Sequence, residues 1–353
     1  MRWCGRGGLQ SWCARGAERG RTRGTSGLST WKEAHQEVCE LQYTHEPISP
    51  VKPVANMTVD ELLSSYRGCA FGARRLAEAA DILYEMTTSD ATVFMGLAGA
   101  MVPAGMRTVV CELIREGCVD VLVSTGANMV HDVIEALGHH HYKGTENVDD
   151  VHLRQCNINR IYDVFLPESS YEAFEAFALE VYEDIYASRH TISIRELMDE
   201  FGARLDDENS ILRCAHEHGV PVYCPAVQDS SFGLQGWLFN QTHNLVLDAW
   251  ADMREIIDTC YEASSVGALF VGGGVPKNFI LQTTIVTSKG FDYVVQLTMD
   301  RPEPGGLSGA TLEEAQSWGK VSENARRVVV YSDATITLPM LAASLLERLR
   351  KGK

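Results

Sequence analysis

The stretch Gly267-Ala-Leu-Phe-Val-Gly-Gly-Gly-Val-Pro276 decides how the chain is read. A short uncharged run of strand-forming residues leads into three glycines, and a proline then opens a segment of helical spacing. Such a turn lets backbone N–H groups approach a phosphate, and the start of the following helix favours the anion. It is not the G-x-G-x-x-G pattern, however, and a glycine turn can equally serve tight strand–helix packing.

The same alternation recurs on both sides of this stretch. Apolar runs predict strands at 92–97, 119–124, 221–227, 267–271, 293–298 and 327–332. Between and around them, apolar spacing predicts helices at 74–86, 103–116 (with Pro103 in its first turn), 128–137 (closed by Gly138), 171–187, 244–257, 276–287 and 337–350. Thr58 and Glu61 stand at capping-box distance ahead of these. Six strands alternating with helices predict an α/β fold with a doubly wound, mostly parallel, Rossmann-like sheet in a single domain over 48–353. Ligands in such folds bind beyond the carboxyl ends of the strands.

Charge divides the 353 residues differently. The whole chain carries −16, but residues 1–24 hold six arginines against Glu18, which leaves −21 on the remainder. A body that acidic repels phosphate backbones, so no nucleic-acid partner is expected. Residues 1–47 read as a basic N-terminal extension, unstructured or an organellar presequence, and their glycine content favours the first reading. No run of about eighteen apolar residues is present, so no membrane partner is expected. The ten cysteines show no C-x-x-C spacing, so no metal site is expected; they read as small apolar residues of a reducing, cytoplasmic compartment.

Several strand ends carry residues suited to a cofactor. Ser124-Thr125-Gly126 follows the second strand, and Asp229 and Asp333 follow two others, where a carboxylate can accept from ribose hydroxyls or simply cap the next helix. The glycine-rich loop from Pro302 leads to a short helix opened by Thr311, with Glu314 at capping-box distance, and ends in Trp318-Gly319-Lys320. A lysine partly desolvated beside a tryptophan can serve as a neutral amine nucleophile, although an arbitrary lysine is far more often a solvated surface charge.

Ser317-Trp-Gly-Lys320 preceded by Glu314-Ala, with Gly272-Gly-Gly274-Val-Pro-Lys277, Val121-Leu-Val-Ser-Thr125 and Val330-Tyr-Ser-Asp333-Ala, resembles the deoxyhypusine synthase family from about Ile48 to the C-terminus. The resemblance implies a homotetrameric, NAD-dependent transferase of a 4-aminobutyl group from spermidine. A lysine imine carries the group, 1,3-diaminopropane leaves, and the acceptor is a lysine of translation initiation factor 5A. It places Lys320 on the imine-forming lysine, Trp318 on the tryptophan flanking the polyamine, and Glu314 on the acid near it. Ser124, Thr125, Gly126, Asp229, Gly272, Gly273, Gly274, Asp333 and Ala334 fall on cofactor-contacting positions.

Departures from the family pattern cluster in the polyamine pocket. His131 stands where eukaryotic members carry glutamate, Leu234 and Gln235 where they carry aspartate, and Asn278 and Gln282 where they carry histidine and asparagine. Pro304 and Leu307 replace two loop aspartates. This pattern resembles the bacterial-type branch, and His131, Asn278 and Gln235 join Trp318 and Glu314 as expected substrate contacts. Three readings follow: transfer to the translation factor, transfer to putrescine giving homospermidine, or a catalytically impaired paralogue supporting an active partner subunit. Retention of Lys320 disfavours the last. His139-His140-His141 reads as a polar loop, and the apolar helix around 338–349 as core packing or a tetramer interface.

Overall fold

Side chains alternate along the central strands and divide the core into two faces. The computed structural model describes residues 46–352, residue 288 apart, so the expected N-terminal extension lies almost wholly outside the described residues. Helix α1 (Val59–Ser65) starts with Thr58 and Glu61 closing the expected capping box from both sides, and α2 (Phe71–Thr88) follows. Next come β1 (Ala91–Leu97), α3 (Arg107–Arg115), β2 (Val121–Ser124) and α4 (Gly126–Ala136). The acidic middle builds β3 (Tyr142–Lys143), α5 (Asp150–Gln155), β4 (Ile158–Ile161), β5 (Val164–Pro167), α6 (Glu168–Ser188), β6 (Thr191–Ile192), α7 (Ile194–Ala203) and α8 (Ile211–His218). The alternation resumes with β7 (Val222–Tyr223), α9 (Ser231–Phe239), β8 (Val246–Leu247), α10 (Ala249–Glu262), β9 (Ser265–Val271) and α11 (Gly274–Thr287). It ends with β10 (Phe291–Thr298), α12 (Leu312–Ser317), β11 (Val321–Tyr331) and α13 (Ala334–Gly352).

Six of these strands form an all-parallel sheet in the order β11-β10-β9-β1-β2-β7. The strand order reverses between β1 and β9, as in dinucleotide-binding folds, and places the ligand crevice at the carboxyl ends of those two strands. On one face Met95, Leu97, Leu269 and Val295 meet Leu83 and Met86 of α2, Val110 of α3 and Leu341 of α13. On the other, Phe94, Ala268, Phe270 and Val294 meet Ile256 of α10, Ile280 and Leu281 of α11 and Leu312 of α12. Each buried Val, Leu, Ile, Phe or Met side chain contributes about 1.5–3 kcal/mol by leaving water, which is why the strands read as unbroken apolar runs.

The α/β class and the parallel sheet agree with the sequence reading, and the differences are local. The strand expected over 221–227 is only Val222–Tyr223, because Pro225 has no N–H with which to continue the ladder. The helix expected from Pro103 starts at Arg107 instead; residues 99–105 form tight turns bounded by Gly99 and Gly105, with φ of 80° and 85°. The helix expected over 244–257 starts at Ala249, where the Asp248 carboxylate accepts from Trp250 N and Ala251 N. Helix α13 packs against α1 and α2 with Leu338, Leu341 and Leu345 buried, in line with core packing.

The middle segment is fastened by one buried carboxylate. Asp132 of α4, fully buried, accepts from Arg107 Nε at 2.6 Å, Ser210 Oγ at 2.7 Å, Ile211 N at 2.9 Å and Leu212 N at 3.0 Å. It therefore neutralises Arg107 and caps α8 together. Asp132→Ala would leave Arg107 with Asp207 as its one carboxylate, 2.7 Å from its guanidinium, and strand two N–H groups, and urea unfolding should show a loss of about 2–4 kcal/mol.

Candidate active site

Lys320 follows Gly319, whose φ of 72° turns the chain, and directly precedes β11. It stands at the amino end of that strand, not at a carboxyl end. Its backbone is held on three sides: its N–H donates to Ala315 O at 3.0 Å, and its carbonyl accepts from Phe291 N at 3.0 Å and Thr284 Oγ1 at 3.4 Å. The side chain reaches into a cavity of about 200 Å³ between α11 and α12, lined among others by Lys277, Asn278, Leu307, Glu314 and Trp318. Trp318 is 68% exposed at the mouth, with Lys320 Nζ 5.9 Å from its ring centre.

Thr311 caps α12 by accepting from Glu314 N at 3.0 Å, but the Glu314 side chain does not return the bond to Thr311. The expected capping box is thus half formed. The Glu314 carboxylate has no hydrogen-bond or ion-pair partner among the described residues and lies on the cavity wall. Lys277, which the sequence reading did not single out, is 3% exposed in the same cavity. Burial pushes its amine down to about 8, the charge of Lys320 acts in the same sense, and Glu314 opposes both.

The residues expected to hold the cofactor come to the carboxyl edge of the sheet, because every strand before them runs the same way. Gly272 and Gly274 adopt φ of 74° and 57°, a region unfavourable to side chains. At Gly273 a Cβ would collide with Ser308 Cα, so close packing of a loop accounts for that glycine. Ser124 Oγ donates to Leu97 O at 2.9 Å, binding the ends of β2 and β1 together, and Thr125 caps α4. Asp333 accepts from Thr335 N and Oγ1 at the start of α13, which Ala334 opens, while Asp229 is exposed. Gly126 approaches Ser230 too closely for any side chain. The turns of residues 98–105 after β1 also stand at the reversal point and were missed; Gly96, Gly99 and Gly105 around a strand end were the available signal.

His131 and Gln235 do not line the Lys320 cavity, whereas Asn278, Glu314 and Trp318 do. Gln235 lies on α9 with its Nε2 buried and unpartnered. His131, 8% exposed on α4, meets His141 Nε2 through its Nδ1 at 2.9 Å, and His141 Nδ1 meets Glu135 Oε1 at 2.6 Å. Glu135, His141 and His131 thus form one hydrogen-bonded chain, in which the tautomers of the two rings set which nitrogen donates. The loop reading of residues 139–141 therefore misses His141, whose side chain is 6% exposed. Burial and then the neighbouring His141 bring His131 down to about 4. Burial alone would raise Glu135, but hydrogen bonds from the His141 ring and backbone outweigh it and bring the carboxyl to about 2.

Comparison with known proteins supplies the family. A family model described as deoxyhypusine synthase matches residues 61–345. The chain belongs to the deoxyhypusine synthase family. That family is one of transferase enzymes. "Probable deoxyhypusine synthase 1" of Methanosarcina acetivorans is 58% identical over 306 residues, covering 86% of this chain and 96% of the relative. "Probable deoxyhypusine synthase 1" of Archaeoglobus fulgidus is 48% identical over 290 residues, 82% of this chain and 94% of the relative. The crystal structure titled "a putative deoxyhypusine synthase from Entamoeba histolytica" superposes with a TM-score of 0.61 at 18% identity, covering 84% of this chain and 97% of that one, and supports the fold.

The histidine chain has a consequence for stability. With a reference value of 6.5 and a folded value of about 4, His131 takes up its proton in the unfolded chain first as pH falls. Stability present above pH 6.5 is lost progressively down to about pH 4, by about 3 kcal/mol in all. Replacing His131 with Gln should flatten the pH dependence of the urea midpoint in that window, leaving the loss through Glu135 below pH 4.5 in place.

Proposed function

We propose that the protein is an NAD-dependent aminobutyltransferase, which takes the 4-aminobutyl group of spermidine onto Lys320 as an imine and passes it to a lysine of translation initiation factor 5A. One observation carries the reading: Lys320, Trp318, Glu314 and Asn278, which lie on different elements, line one cavity. Membership of the family supplies the reaction class. In this reading the protein works as a homotetramer in the cytoplasm, and its exposed apolar residues Trp237 and Trp250 suit a subunit contact.

The residues at the carboxyl edge fit a dinucleotide. Glycines with positive φ stand at the start of α11, and the turns after β1 face them across the reversal point. Gly272 N donates to Leu297 O at 2.8 Å and Gly274 N to Ser308 Oγ at 2.9 Å, so Gly273 N and residues 98–105 would hold the phosphates, and Asp229 or Asp333 a ribose. When bound, the nicotinamide supplies hydride acceptance from the donor amine and hydride return at the end.

The chain's own groups do the rest. Lys320, as a free amine, adds to the imine carbon of the oxidised donor. A proton passes to the departing nitrogen, 1,3-diaminopropane leaves, and the butylimine remains on Nζ. The acceptor lysine repeats the exchange and frees Lys320. Glu314 offers a carboxylate to a polyamine ammonium, and Trp318 covers the cavity mouth and favours a cation over its face. Asn278 offers an amide where the family has histidine, so it binds without titrating.

Borohydride added to protein incubated with NAD and spermidine should fix a butylamine adduct on Lys320, seen by peptide mass spectrometry, with release of diaminopropane. Lys320→Arg should abolish both. No adduct and no diaminopropane from the wild type would refute the reading. Adding the translation factor or putrescine identifies the acceptor by which product gains mass.

A further inference from the structure

A set of buried polar groups between α11, β10 and residues 299–311 has no part in the chemistry above. Lys277 Nζ donates to Gln296 Oε1 at 3.0 Å and to the Ala310 carbonyl at 2.6 Å. Gln296, 1% exposed, uses its own Nε2 for two carbonyls, Gly272 O at 3.0 Å and Ser308 O at 2.9 Å. Ser308 completes the circuit by accepting on Oγ from Gly274 N at 2.9 Å. The fit at Gly273, where Ser308 Cα fills the space of a side chain, shows how closely this loop lies on the glycine turn.

These bonds join two places that the sequence separates. One is the turn at the end of β9, and the other is the loop that runs directly into α12 and so into Glu314, Trp318 and Lys320. A buried ammonium placed among acceptors on two different elements is costly unless each acceptor stays in position, so the circuit holds as a unit. Gln296 suits the centre because an amide both accepts from Lys277 and donates to both sides.

We propose that Lys277 and Gln296 form a latch that positions the Lys320 segment against the glycine turn, so that occupation of the turn by an anionic dinucleotide sets the nucleophile in place. They are positioning residues, and the proposal rests on reading Lys320 as the imine-forming group. Dinucleotide binding orders the turn, Gln296 and Ser308 pass that order to the loop, and Lys277 fixes the loop at Ala310, one residue before the cap of α12.

The test uses the full chain and two readouts. Trapping by borohydride at saturating NAD and spermidine should slow about 10-fold or more in Gln296→Leu and Lys277→Gln, with thermal midpoints monitored. Should those variants unfold, Ser308→Ala, on the half-buried loop, carries the test: it should need about 3-fold more NAD for half-maximal trapping. Hydrogen exchange is read independently of chemistry. NAD should slow exchange across residues 299–320 in the wild type, and this protection should be lost in Gln296→Leu, or in Ser308→Ala if the former does not fold. Trapping rates, NAD dependence and protection all equal to wild type would overturn the latch. A wild type that traps nothing on Lys320 but shows the coupled protection would overturn the proposed chemistry and leave the latch standing.

Discussion

A parallel sheet whose central strands are buried on both faces organises the molecule. Phe94 points one way from β1 while Val93 and Met95 point the other, and both sides need cover. Helices must therefore cross over both faces, and every crossover returns the chain in the same direction, so all the turns that follow strands collect at one edge. The crevice between β1 and β9 is a product of that traffic. Nothing local needs to encode it.

The cavity around Lys320 has a different origin. It lies on the face covered by α11 and α12, and its chemistry is set by charges brought from three segments: Lys277 from the helix after the glycine turn, Glu314 from the short helix, and Lys320 from the residue before the last strand. Two amines and one carboxylate in a small volume leave a modest positive bias. Under the proposed function, polyamine recognition there would depend on placement, with Trp318 at the opening and Glu314 as the acid, more than on the net acidity of the chain.

The fold was legible because burial on both faces writes itself into unbroken apolar runs such as 267–271 and 293–298. Where the reading slipped, a local rule was outweighed by its neighbours. Pro103 resembles a helix start, yet Gly99 and Gly105 hold turns there; the run after Tyr223 looks like strand, yet Pro225 ends it. Among site residues, Lys320, Trp318 and Glu314 stood out through their family motif. Lys277 and Gln296 did not, because a buried lysine and a buried glutamine resemble surface residues in sequence until their partners are known. His141 was hidden for the same reason: its partners Glu135 and His131 lie behind it on α4, and three adjacent histidines carry no sign of which one folds back.

The anchoring of Lys320 has a mechanical corollary. Its carbonyl is tied to Phe291 and Thr284 and its N–H to Ala315, so once the segment is seated the main chain supplies no travel. All movement of the amine must come from rotation about four methylene carbons on a fixed pivot. A group carried on that arm sweeps a short arc ending near Trp318. With Lys320 carrying the aminobutyl group as proposed, an incoming amine would have to be delivered into that arc from outside, so discrimination between a protein side chain and a small diamine would fall to the surface surrounding the opening and not to the depth of the cavity.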